Sequence, residues 1–181
     1  MKRLIVIGAI MVMVGGMVSV VRAGSSDTMT LTVTVTAALD VTIYATTYDF
    51  GTVALNSTSI STTSTAVRNT SSNAVETYNL KVSAGSSGWT IADSTGTKDY
   101  VRIQAIWNTS QPASITDGTS YNLDIAGKTC DGTLFAGNET HKGKSVDPND
   151  QELLWFKLWT PSSTSTEGTK TFYLTITASL G

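Results

Sequence analysis

Apolar and polar residues alternate through much of the chain, and the longest such stretch runs from Thr28 to Ala45, TMTLTVTVTAALDVTIYA. Met29, Leu31, Val33, Val35, Leu39, Val41 and Ile43 all fall on odd positions, with threonine between most of them. A period of two sends successive side chains to opposite faces, so the pattern predicts strand with one apolar and one hydroxylated face. The run is longer than an ordinary strand, which places a break or a change of sheet near Ala37-Ala38. Alternation returns in Thr77 to Ser83 (Tyr78, Leu80, Val82) and in Tyr100 to Asn108 (Val101, Ile103, Ala105, Trp107). It recurs at Tyr121, Leu123 and Ile125, in Leu153 to Thr160, and in Thr169 to Ala178 with Phe172, Leu174, Ile176 and Ala178 inward. Shorter or weaker strands are predicted at Tyr48 to Val53, Ser59 to Val67, Trp89 to Ile91 and Leu134 to Ala136. Turn-forming residues separate these runs, among them Asn69 to Asn73 and Ala84 to Gly88. Asp147-Pro148-Asn149-Asp150 reads as a type I turn, with proline where φ is already fixed. Seven to nine short strands at this spacing predict an all-β sandwich or barrel.

Residues 1–23 follow a different pattern. Lys2 and Arg3 precede an uncharged apolar run from Leu4 to Val21, and Val21-Arg22-Ala23 offers small residues where a signal peptidase reads. The expectation is a cleaved signal peptide and one domain over 24–181, with an uncleaved anchor as the alternative. After cleavage no integral membrane span is expected. Export then places the protein outside the cell, at its surface or in a periplasm.

Removing Lys2, Arg3 and Arg22 takes the formal charge from −2 to about −5, which disfavours nucleic acid as a partner. Serine and threonine exceed a quarter of the residues while charged residues are 14%. Threonine is β-branched and suits strands, and its hydroxyl keeps an outer face wet.

Candidate chemistry is sparse. His141, the only histidine, lies in a polar loop without the partners that a nucleophile, base or metal site needs. No catalytic residue, cofactor or metal site is assigned, and the chain is not expected to be an enzyme. Asp147, Asn149, Asp150 and Glu152 offer oxygen ligands, but no calcium-loop signature surrounds them, and Pro148 already explains the turn. Cys130 is the only cysteine, so it forms no intrachain disulfide; a lone buried or loop thiol is the expectation and an intermolecular bridge the alternative. Asn56, Asn69, Asn108 and Asn138 begin Asn-x-Ser/Thr triplets, which at this serine and threonine content mark exposed turns more than glycosylation.

In Leu153 to Thr160 the even positions Leu154, Phe156 and Leu158 form one face, and Trp155, Lys157 and Trp159 the other. With the even face inward, two indoles flank a lysine on the outside, ready to stack sugars or bury against a neighbour. Alternatively the strand is central and covered on both faces, with the irregular stretch 126–150 as the cover.

Tyr48-Asp49-Phe50-Gly51-Thr52-Val53, then Val67-Arg68-Asn69-Thr70 and Tyr78-Asn79-Leu80-Lys81-Val82, occur in an order that resembles the immunoglobulin-like ASH (hydin-type) domains of bacterial exported proteins. Val146 to Asp150 followed by Leu154-Trp155-Phe156-Lys157-Leu158 and Pro161 is similar to the last hairpin of such sandwiches. The resemblance implies an antiparallel immunoglobulin-like β-sandwich that acts as an adhesive, scaffolding or filament module. The leading functional expectation is a self-associating subunit of a filament, pilus or surface layer. The second is a carbohydrate- or surface-binding module, with glycans or cell-surface components as partners. For the alternating N-terminal stretch, Met29, Leu31, Val33 and Val35 are expected either in the first strand of the domain or in a strand donated to a neighbouring subunit, with the edge at Phe172 to Ala178 as acceptor.

Overall fold

A computed structural model describes residues 29–30, 32–34, 37–85, 88–94 and 96–181. The expected signal peptide, and Leu31 and Val35 of the alternating stretch, lie outside the described residues. Residues 29, 30 and 32–34 belong to a first unit that ends at Val35; they form no strand or helix and are exposed. Everything else described belongs to a second compact unit, Thr36–Gly181.

That unit is an all-β sandwich of nine strands: β1 (Val41–Ile43), β2 (Thr58–Ile60), β3 (Thr65–Asn69), β4 (Glu76–Ala84), β5 (Thr90–Ile91), β6 (Tyr100–Trp107), β7 (Lys128–Thr129), β8 (Gln151–Trp159) and β9 (Phe172–Leu180). A single 3-10 turn, Thr119–Tyr121, is the one helical element among the described residues. The larger sheet runs β1-β3-β8-β6-β5, and β2 pairs with β8 beside the β3 contact. The smaller sheet runs β7-β4-β9. All pairings are antiparallel except β5 with β6.

The predicted alternation sets the core. Tyr78, Leu80 and Val82 of β4 face Val101, Ile103, Ala105 and Trp107 of β6 and Leu154 and Leu158 of β8, all buried in one cluster with Val67 and Ile176. The register agrees with one shared inner face: Ile103 opposes Leu158, Ala105 opposes Phe156, and Trp107 opposes Leu154. A one-residue slip would turn this whole set outward, so burial of one face fixes the pairing.

Several expectations need correction. Tyr48 to Val53 is no strand: Gly51 N–H donates to Asp49 Oδ1 (2.8 Å) and Gly51 has φ +68°, so Asp-Phe-Gly turns while Phe50 and Val53 pack on the core. Ser59 to Val67 divides into β2 and β3 around Ser61. There the Ser61 hydroxyl accepts from Phe156 N–H (3.0 Å), and Ser61 N–H donates to the Phe156 carbonyl (2.8 Å), which bridges the break. Tyr121 to Ile125 gives the 3-10 turn and one bridge between Asn122 and Gln104, and Ala136 gives one bridge to Trp107. The Asp147–Asp150 turn closes by an Asp150 N–H to Asp147 carbonyl bond (3.1 Å). Its third residue, Asn149, has φ +69°, which is type II geometry rather than type I.

Candidate functional site

The site begins with the two sheet edges that lie on the same side of the sandwich, β1 and β9. β9 pairs with β4 along all nine residues, Phe172 opposite Ala84 through Leu180 opposite Glu76. Among the described residues it has no strand on its other side. Its inward row is Phe172, Leu174, Ile176 and Ala178, as the alternation predicts. Only Ile176 is buried; the other three are half-covered, whereas Tyr78, Leu80 and Val82 on the adjacent strand are sealed. β1 shows the same incomplete cover, with Val41 and Ile43 half-buried, and Leu39 just before it is exposed. Between the edges is a cavity of about 390 Å³ lined by Leu39, Asp40, Val41, Ile176, Thr177 and Ala178.

Asp40 fixes one end of this groove by its backbone. Its N–H donates to Glu76 Oε1 (2.7 Å) on the smaller sheet, and its carbonyl accepts from Thr70 N–H (2.7 Å) and the Thr70 hydroxyl (2.9 Å) beside the larger one. Glu76 is fully buried in the apolar phase of β4; burial pushes its carboxyl up, and the Asp40 N–H offsets part of that. The chain preceding β1 therefore leaves the sandwich at the groove, with Ala37, Ala38 and Leu39 exposed.

A second polar group inside the apolar phase is Glu152 on β8, whose Oε2 accepts from the N–H groups of Lys142 (3.0 Å) and Gly143. Burial raises its pKa to about 7 despite those donors. Gly143 has φ +64°, and a Cβ there would overlap the Trp107 indole and Cys130 Sγ, so only glycine lets this loop approach. Trp107 Nε1 donates to Cys130 Sγ (3.2 Å), and burial pushes the thiol up to about 12. Cys130 is thus a buried thiol, shut away from the intermolecular bridge considered above. His141 lies half-buried in a cavity with Lys142, Asp147, Asp150 and Glu152, and its pKa is lowered by burial. Glu152 points at the Lys142–Gly143 backbone, away from any shared ligand role with the exposed Asp147, Asn149 and Asp150. No group of three or more His, Cys, Asp or Glu side chains able to hold a metal occurs among the described residues. Nor is any described helix long and apolar enough to cross a membrane.

Of the two readings of the Trp155 strand, the structure shows the covered one, and the row of exposed indoles is not present. Trp155 is only 7% and Lys157 only 8% exposed, and Trp159 is half-buried. β8 is central, and the outer face of the β6–β8 pair is covered chiefly by residues 108–118, with Gly137 of the 126–150 stretch against Ile106. Ile115 packs with Ile106, Trp155 and Tyr121, and Trp155 Nε1 donates to the Asn108 carbonyl (2.9 Å). Lys157 Nζ donates to the Ile115 carbonyl (2.7 Å) and to Asp117 (3.0 Å), which also pairs with Arg102 (3.2 Å). The Arg102 guanidinium sits 4.3 Å and the Lys157 ammonium 4.6 Å from the Trp159 ring centroid, so the cations occupy the indole's π system.

The chain matches no family model, no curated protein and no solved structure. Its own geometry offers two half-covered apolar edges, β1 and β9, flanking a groove. Sequence reasoning offered the edge at Phe172 to Ala178 only as the acceptor of a donated strand, missed Glu76, and weighed Glu152 as an oxygen ligand rather than as a buried carboxyl. Their signal was a glutamate in phase with Tyr78 and Leu80, and another in phase with Leu154 and Leu158.

Proposed function

We propose that this protein is an exported structural subunit that self-associates into a filament, pilus or surface layer. The observation that carries this reading is the open side of the sandwich, where nine-residue β9 has, among the described residues, no strand on one edge and a half-covered inner row. Such an edge is a template for another strand, and proteins that stay monomeric blunt it with charge, proline, bulges or a covering element. β9 contains no charged residue and no proline. Export, suggested by residues 1–23, supplies the setting in which such subunits work.

The carbohydrate-binding reading loses the platform that motivated it. Trp155 lies beneath residues 108–118, and the Trp159 ring is engaged by Arg102 and Lys157. The test is electron microscopy and sedimentation of protein sheared from cells, with intact mass to locate the first residue. Filaments or sheets of this chain support the reading. A protein that stays monomeric at every concentration and leaves no assembly on the cell overturns it.

A further inference from the structure

We infer that the groove beside β9 is filled by residues Thr28–Thr36 of a second copy of this chain, added as a tenth strand against the β9 edge. This rests on the self-association reading and names the contact that would perform it. Four observations converge on this occupant.

Length matches first: the segment and β9 each have nine residues. The second is phase. Met29, Leu31, Val33 and Val35 alternate with five threonines, so one register sets the apolar row beside Phe172, Leu174, Ile176 and Ala178. The same register continues the exposed outer row of β9, Tyr173, Thr175, Thr177 and Ser179, with more hydroxyls. Third, Met29 is 80% and Val33 84% exposed, and residues 29, 30 and 32–34 form no strand. Apolar side chains of that size, spaced for a strand yet unpaired, are what a groove of half-covered apolar residues would bury. Fourth, the groove side offers main-chain groups along the edge of β9 that no described strand pairs, so affinity can come from backbone hydrogen bonds and selectivity from alternate side chains. Each chain then holds one donor and one acceptor, and a head-to-tail contact of this kind extends into a fibre when its rotation does not close.

The experiment uses the protein as its host processes it and compares Val33→Asp, on the apolar row, with Thr32→Asp, on the hydroxylated row. A synthetic peptide of residues 28–36 serves as probe. The expected result is that Val33→Asp stays monomeric with an unchanged unfolding midpoint and binds the peptide. The same substitution in the peptide should weaken binding at least tenfold, and Thr32→Asp should still assemble. If Val33→Asp assembles like the parent, the segment is not the contact, and self-association stands by another surface. If Val33→Asp lowers the unfolding midpoint of the monomer independently of concentration and the peptide restores it, the strand serves its own domain, and exchange between copies is overturned. If the parent itself never assembles, the self-association reading fails first, which separates the two claims.

Discussion

Glu152 is buried where its strand's alternation calls for an apolar side chain, and its environment makes it a pH-dependent liability. Its carboxyl ordinarily titrates near 4.5 and is raised to about 7, chiefly by burial. The folded state therefore holds this proton more tightly than the unfolded state. Its contribution to stability is full below about pH 4.5 and is lost as pH rises through about 7. The difference across that window is on the order of 3 kcal/mol. Glu152→Gln keeps an oxygen to accept from Lys142 and Gly143 but cannot ionise. Denaturant midpoints of this variant should change much less between pH 4.5 and 8 than those of the parent. The residual slope falls to Glu76, which is shifted in the same direction, and to His141, whose lowered pKa contributes with the opposite sign. An equally steep profile in both proteins would mean that Glu152 is not the titrating group. Gly143 stands directly above, and Gly143→Ala both strains a positive φ and overpacks against Trp107 and Cys130. Destabilisation of about 2–4 kcal/mol is expected, read as a lower unfolding midpoint with the sheet spectrum retained.

At the level of strands, β8 decides the fate of the indoles. It is central, flanked by β2 and β3 on one side and β6 on the other, and its outer row is covered by residues 108–118. Trp155→Ala should cost about 3–5 kcal/mol because it empties the space between Ile106, Ile115 and Tyr121. Trp159→Ala, on a half-buried ring held by two cations, should cost clearly less; equal losses would contradict this division of the row. β4 and β9 were legible in the sequence because an apolar row faces the core and imposes a period of two, and β6 and β8 were legible by the same inner-row alternation although their outer rows are covered as well. The cover over β8 was not legible. Residues 108–118 are mostly polar, and apart from Ile115 they act through backbone carbonyls of Asn108 and Ile115 and through Asp117, which no hydrophobic pattern announces. Tyr48 to Val53 failed for the opposite reason: its apolar residues do pack, but a local Asp49–Gly51 bond turns the chain before a ladder can form. The groove was half legible. Alternation gave the inward row of β9, while its standing at an edge depends on which strands meet across the sheet, a long-range outcome.

For the whole molecule, the association argued above would be carried by uncharged surfaces. Thr28–Thr36 contains no ionisable residue, β9 contains none with a formal charge at neutral pH, and among the described residues Asp40 is the only charged one lining the groove. Main-chain bonds and apolar burial respond little to ionic strength, whereas contacts built on exposed ion pairs weaken as the screening length shrinks from about 14 Å at 0.05 M to about 4 Å at 0.5 M. The subunits also share a negative sign, with a formal charge of −2 over the 181 residues. Salt therefore screens a mutual repulsion and removes no attraction that the groove depends on. The critical concentration for assembly, measured by sedimentation in sodium chloride from 0.05 to 0.5 M, should stay within about threefold and drift downward. A rise of tenfold or more would place ion pairs at the centre of the subunit contact and turn attention from the β9 edge to the charged surfaces elsewhere on the sandwich.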